Sequence, residues 1–202
     1  MRETDMKTPA GNAFVLPTDA LARAIEEERG LKQKPLTQLA ATTIDIVARE
    51  RHKIVDEIAA YAASELLCHR AEHPPGLAEA QQKTWQPVLD WCAERFAASL
   101  KTAAGIMPIA QPAESLSALR VVVASFDDFR LTGLAEGVRV SGSLVLGLAL
   151  AERRLSAADV FEAAELDATH QMEKWGEDPA VQKRREAVRR DLEFVERWFG
   201  LL

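Results

Sequence analysis

The sequence SGSLVLGLALA at residues 141–151 contains the densest run of apolar side chains in this chain. A helix that spans a bilayer needs about 20 apolar residues, whereas this run is much shorter and is followed by Glu152, Arg153 and Arg154. The serines and glycine that precede the run suit the start of a helix. We therefore predict a short buried helix in the core of the fold.

The segments before this run repeat apolar residues at the spacing of amphipathic helices. The apolar stripes are Leu36, Leu39, Ala40, Thr43, Ile44 and Val47; Ile54, Val55, Ile58, Tyr61 and Ala62; Trp85, Val88, Leu89, Cys92, Phe96 and Leu100; and Leu116, Leu119 and Val123. Pro87 predicts either a kink in the third helix or a new start. Two prolines within residues 105–112 predict an extended connector. Asp127 can cap a further helix that carries Leu134 and Val138.

The segments after the run predict two more helices. Ser156 and Asp159 have the spacing of a capping box, which starts a helix that Gly176 ends. The apolar stripe of that helix consists of Phe161, Ala164, Ala168, Met172 and Trp175. Asp178 and Pro179 then supply the N-cap and the first residue of a final helix of about 20 residues.

Residues 1–16 have a different pattern from the rest of the chain. Residues 8–12 are typical of a turn, and Phe14-Val15-Leu16 is a short extended apolar run, so one or two strands are expected there. Thr18 can cap a short helix that Gly30 ends. The fold class that we predict is mainly α, an irregular helical bundle with a short N-terminal β segment.

Composition and charge exclude several classes of protein. Of the 202 residues, 48% are hydrophobic and 28% are charged, which is typical of a globular protein. The net charge is −6 and there is no polybasic block, so we expect no nucleic-acid partner. No apolar run is long enough for membrane insertion. Cys68 and Cys92 have no CxxC or Cys/His pairing, and Cys68 is expected in the core.

The N-terminal residues argue against a transit peptide, because Glu3 and Asp5 are acidic and such peptides contain few acids. With reduced cysteines, this favours a bacterial cytoplasm, or the mitochondrial matrix if the source is eukaryotic.

No phosphate-binding glycine loop, nucleophile elbow or zinc-protease motif occurs in the sequence. The arrangement closest to an enzyme site is Asp167, His170 and Glu173, whose helical spacing places carboxylates and an imidazole on one face. A metal-dependent helical-bundle enzyme is therefore the alternative hypothesis. The second Glu-x-x-His repeat that such a site requires is missing, since Glu65 and His69 are four residues apart.

Trp175-Gly176-Glu177-Asp178 lies between the last two predicted helices. Asp178 is explained as a helix cap. Glu177 has no capping role, and a carboxylate that projects from such a corner can meet an Arg or Lys of another protein. These four residues are the candidate partner-binding site, and we predict no catalytic residue, cofactor or metal.

Five stretches in order resemble the chaperone family that assembles the catalytic head of F-type ATP synthase, and together they extend from about residue 8 to the end. They are Pro35-Leu36-Thr37, Ser64-Glu65-Leu66-Leu67-Cys68-His69-Arg70-Ala71, Gly105-Ile106-Met107-Pro108, Ser141-Gly142-Ser143-Leu144 and Trp175-Gly176-Glu177-Asp178. The resemblance implies a non-enzymatic chaperone that binds the free ATP synthase alpha subunit and prevents its aggregation. It also implies that Glu177 is the residue most closely tied to function.

The resemblance further implies a division into residues 1–34, a remnant of a β-rich N-terminal domain with a linking helix, and residues 35–202, the helical chaperone domain. The first seventeen or so residues match only the last strands of the family's β domain, so a shortened gene model or fragment is one expectation. Glu65 and His69 stand where the family usually has Asp and Tyr.

Overall fold

The computed structural model describes residues 2–105, 107, 109–176 and 178–202, with side chains from Asp5 onward. The strands are β1 (Arg2–Lys7), β2 (Ala13–Leu16), β3 (His69–Arg70) and β4 (Ala103–Ala104). The helices are α1 (Asp19–Glu27), α2 (Pro35–Thr42), α3 (Ala48–Ala60), α4 (Pro75–Phe96), α5 (Ala113–Ser125), α6 (Asp128–Ser141), α7 (Leu144–Ala151), α8 (Ala157–Ala164), α9 (Leu166–Trp175) and α10 (Pro179–Leu201). The prediction of a mainly α fold with a small N-terminal β segment is confirmed.

Helix α7 is the centre of the core, as its sequence predicts, because every one of its residues is buried. Ser143 caps it by accepting a hydrogen bond from the Leu146 amide at 2.9 Å. Gly147 allows α6 to approach closely, since a Cβ at this position would lie 2.6 Å from Val138 Cγ2. The close packing of α6 against α7 therefore requires glycine here.

The N-terminal hairpin pairs β1 and β2 in antiparallel register, with an irregularity between Glu3 and Lys7. Asp45 ties its turn to the helical part of the chain. The carboxylate accepts hydrogen bonds at 2.6 Å from both the Thr8 hydroxyl and the Asn12 side-chain amide. These bonds, with that from Thr8 the largest cause, lower the pKa of Asp45. Phe14 and Leu16 of β2 are buried in the common core. The division of the chain at residue 34 stays a prediction.

Several details differ from the sequence-based predictions. The helices predicted from the stripes that begin at Leu36 and Ile54 are joined by a π-helical segment, Thr43–Val47. Helix α4 continues through Pro87, so no new helix starts at that residue. The single helix predicted after Ser156 is wrong, because the chain leaves helical geometry at Glu165 (φ −103°, ψ 14°).

The middle of the chain also contains short elements other than α-helices. Residues 61–64 and 66–68 form short 3-10 helices, and β3 pairs in parallel with β4. The segment 105–112 lacks a helix among its described residues, as predicted, whereas Ile106 and Pro108 lie outside the described residues. In the part of the chain that the structure describes, no helix combines the length and apolarity that a membrane crossing needs.

Candidate functional site

The end of α9 presents a large aromatic side chain to solvent. Trp175 is 80% exposed, which corrects its predicted place on a buried stripe. Its ring is covered on one side by the Lys174 ammonium, with Nζ 5.3 Å from the ring centroid. None of the described residues of α9 is fully buried. Tryptophan is enriched among the residues that dominate binding at protein interfaces, so Trp175 is a candidate anchor.

The chain turns from α9 into α10 at Gly176 and Asp178. Gly176 has φ +88°, a conformation that favours glycine, and it ends α9 as predicted. Asp178 caps α10, since its carboxylate accepts a hydrogen bond from the Ala180 amide at 2.7 Å. Glu177 lies outside the described residues. The structure thus brings Trp175, Gly176 and Asp178 together at one exposed corner, and the role of Glu177 stays a prediction.

Glu165 fixes the two helices below this corner. Its side chain is only 8% exposed and accepts two hydrogen bonds from Arg184, at 2.8 and 2.6 Å. Arg185 donates to the same carboxylate at 3.2 Å and to the Thr169 hydroxyl at 2.8 Å. The hydrogen bond with Glu165 raises the pKa of Arg184. These charge-assisted bonds join the start of α9 to α10, the two helices that meet at the exposed corner.

A second polar contact holds α9 against α4. Asp167 accepts a hydrogen bond from the Gln81 side-chain amide at 2.8 Å, and the Gln81 oxygen accepts one from the Ala71 amide at 2.7 Å. His170 is half-buried and Glu173 is exposed. Among the described residues, no group of three or more His, Cys, Asp or Glu side chains could hold a metal ion. The alternative of a metal enzyme at Asp167, His170 and Glu173 therefore finds no site there.

Glu65 has a structural position that the sequence does not predict. Its carboxylate is completely buried and accepts hydrogen bonds from the Ser143 hydroxyl and from the Val145 amide, the latter at 3.2 Å. Burial raises the pKa of Glu65. The carboxylate thus contacts the N-terminus of α7, which favours negative charge. Only its position just after a helix, in a run of two leucines, hints at burial in the sequence.

The two cysteines are buried and free, as expected for Cys68. Burial raises the pKa of each thiol to about 12. Neither is therefore a nucleophile at neutral pH, because the thiolate is the reactive form.

The sequence matches the model of a family described as ATP12 chaperone protein over residues 2–93. The crystal structure of Atp12 from Paracoccus denitrificans is 34% identical, with a TM-score of 0.93 over 97% of this chain and 87% of that one. The chain belongs to the ATP12 chaperone family. A mutant of the P. denitrificans Atp12p (33% identity, TM-score 0.94) is covered to the same extents, 97% of this chain and 87% of that one. A protein from Agrobacterium tumefaciens (31% identity, TM-score 0.88) aligns over 96% of this chain and 75% of its own.

Three of the five stretches that carry the resemblance to the ATP12 family are joined by hydrogen bonds. Glu65 contacts Ser143, and the Gly105 amide donates to the Arg70 carbonyl oxygen at 3.0 Å. The stretch at residues 64–71 therefore contacts the other two. The stretch at Trp175 is exposed at all of its described residues, whereas Glu65 and Ser143 are buried.

Proposed function

We propose that this ATP12 family member is a chaperone for assembly of the catalytic head of F-type ATP synthase. It binds the free alpha subunit and prevents its aggregation before the neighbouring subunits arrive. The observation that carries the proposal is the 34% identity to P. denitrificans Atp12 over nearly the whole chain. The exposed Trp175 supports it, because a chaperone needs an accessible apolar anchor for its client.

The contact that we propose is the corner formed by Trp175, Gly176, Glu177 and Asp178. An unassembled subunit exposes an apolar interface that aggregates unless it is covered. A tryptophan beside carboxylates provides burial of apolar area together with attraction to an Arg or Lys of the client. Such a contact is strong enough to hold the client and polar enough to yield to the correct neighbouring subunit. This role requires no catalysis and no cofactor, and we place it in the bacterial cytoplasm.

The test is retention of the full chain on a tagged, purified alpha subunit. We expect wild-type protein to be retained and to suppress light scattering by the alpha subunit, and Glu177→Lys to bind at least about tenfold more weakly. Glu79→Lys is the matched control, because Glu79 is an exposed residue on α4. If wild-type protein does not bind, the function is wrong. If the two variants bind equally well, the function stands and the corner is not the site.

A further inference from the structure

A groove runs past α2, the π-helical segment and α3, on the side where α6 and α10 lie. One cavity of about 310 Å³ lies between the π-helical segment, α3 and α6. A second of about 500 Å³ lies between α2, α6 and α10, and both are lined by Thr42, Glu136 and Arg139. A third of about 490 Å³ extends the second past Pro35 to Leu31. Neighbouring cavities share lining residues, and we call the three together the α2 groove.

Exposed apolar side chains are concentrated at the α2 groove. Among the described residues, the large apolar side chains that are exposed are Leu31, Ile46, Tyr61, Met107, Val121 and Trp175. The first three line the groove. Tyr61, predicted on a buried stripe, is 38% exposed, and Ile46 is 48% exposed. Half of the exposed large apolar residues in the described part thus share one surface.

The π-helical segment explains why Ile46 is held outward. The Thr43 hydroxyl donates to the Leu39 carbonyl oxygen at 2.9 Å and lies 2.9 Å from Thr132 Oγ1. Asp45 is bound to the turn of the N-terminal hairpin. Because Thr43 and Asp45 are anchored on other sides, the segment cannot rotate to bury Ile46 without breaking these bonds. Single π-helical turns within α-helices frequently occur at functional sites.

The charges on the walls of the groove indicate what it can bind. Across the three cavities, five carboxylates face four cations: Glu27, Glu28, Glu57, Glu136 and Asp191 against Lys32, Arg139, Arg190 and Arg197. Arg139 is occupied by Glu136, with Nη2 at 2.6 Å from the carboxylate. Glu57 lies 3.9 Å from the exposed Lys53. In the first cavity Glu136 and Arg139 offset each other, so Glu57 favours an apolar ligand that brings a positive charge to that cavity.

We propose that the α2 groove binds an apolar segment of the client polypeptide that carries a basic side chain. The inference rests on the proposed chaperone function and adds a second contact surface to the corner at Trp175. Leu31, Ile46 and Tyr61 are the apolar anchors of that segment, and Glu57 receives its positive charge.

The experiment measures binding of the purified alpha subunit to the full chain and to two matched variants. Ile46→Asp places a charge in the groove. Val121→Asp places the same charge on α5, where Val121 is 63% exposed and lines none of the three cavities. We expect Ile46→Asp to weaken binding at least about tenfold and Val121→Asp less than about twofold. Circular dichroism and thermal melting check that both variants fold.

The outcomes separate the groove from the function. If wild-type protein fails to bind, the chaperone function itself is wrong. If wild-type protein binds and the two aspartate variants bind equally well, the groove is not a client site and the function stands. Should Ile46→Asp not fold, a photo-crosslinking residue at Tyr61 replaces it, with the same residue at Val121 as control. Cross-links to the alpha subunit from position 61 alone support the proposal, and equal cross-linking overturns it.

A second copy of this chain is the other occupant to test. Sedimentation of the chain alone is expected to show a monomer. A dimer that Ile46→Asp abolishes and Val121→Asp preserves would reassign the groove to self-association and overturn the proposal.

Discussion

The core around α7 and the corner between α9 and α10 contain acidic residues in opposite settings. Glu65 is fully buried, and the Ser143 hydroxyl and the Val145 amide at the start of α7 donate to it. Asp178 is exposed, and its carboxylate accepts a hydrogen bond from the Ala180 amide at the start of α10. The core thus uses a carboxylate to satisfy buried donors, whereas the corner keeps its described residues accessible. Stability should therefore depend on the first region and client binding on the second.

The largest expected effect is from Glu65→Ala. This change leaves the Ser143 hydroxyl and the Val145 amide buried without their acceptor, so we expect a loss of about 3 kcal/mol in the free energy of unfolding. Urea denaturation followed by circular dichroism measures it. Glu65→Gln retains one acceptor oxygen and should lose less. A Glu65→Ala protein as stable as wild type would show that the buried carboxylate does not support α7.

Glu165→Ala removes the carboxylate that joins the start of α9 to α10. Arg185, whose side chain is 15% exposed, would lose its carboxylate partner. We expect a loss of about 2 kcal/mol, because the pair is mostly buried, while the contribution of the more exposed Arg184 is screened. Hydrogen exchange should also increase in α9. Glu162→Ala is the control, since Glu162 is an exposed residue on the neighbouring helix α8. Equal stability of the two variants would contradict this role of Glu165.

Asp45 combines features of both regions, because its carboxylate is not buried in the core and yet accepts the hydrogen bonds that hold the hairpin turn. Its pKa is lowered from 3.8 in the folded protein, so the stability that it contributes is present above pH 3.8 and is lost as the pH falls through the folded value. Amide exchange in residues 8–12 should accelerate in that acidic range. In Asp45→Asn this acid-dependent step should be absent, and an unchanged step would assign it to another group.

Trp175→Ala should have the smallest effect on stability. The side chain is 80% exposed, so we expect a change below about 0.5 kcal/mol in the free energy of unfolding. Binding of the alpha subunit should nevertheless weaken about tenfold, because exposed tryptophans are frequent binding anchors. Calorimetry and pull-down on the same preparation separate the two quantities. Strong destabilisation with normal binding would reverse the comparison between core and corner.

The candidate site was partly predictable. Gly176 and Asp178 are recognisable from local chemistry, because a glycine ends a helix and an Asp-Pro pair starts one. The exposure of Trp175 was not, since its spacing continues the stripe of Phe161 and Met172. The predicted stripe required one straight helix. The helix instead ends near Glu165, where Arg184 and Arg185 of α10 bind the carboxylate. A periodicity within one segment contains no information about charges that arrive from another.

By itself, the sequence determined the helical class, the capped starts at Thr18, Ser143 and Asp178, and the buried centre at residues 144–151. It also determined the family, through short stretches in the correct order. Only the tertiary structure decided that Glu65 meets Ser143, that Glu165 meets two arginines, and that Leu31, Ile46 and Tyr61 line one groove. The reason is physical: caps and helical periods depend on neighbours within a few residues, whereas these contacts depend on how helices distant in sequence pack together.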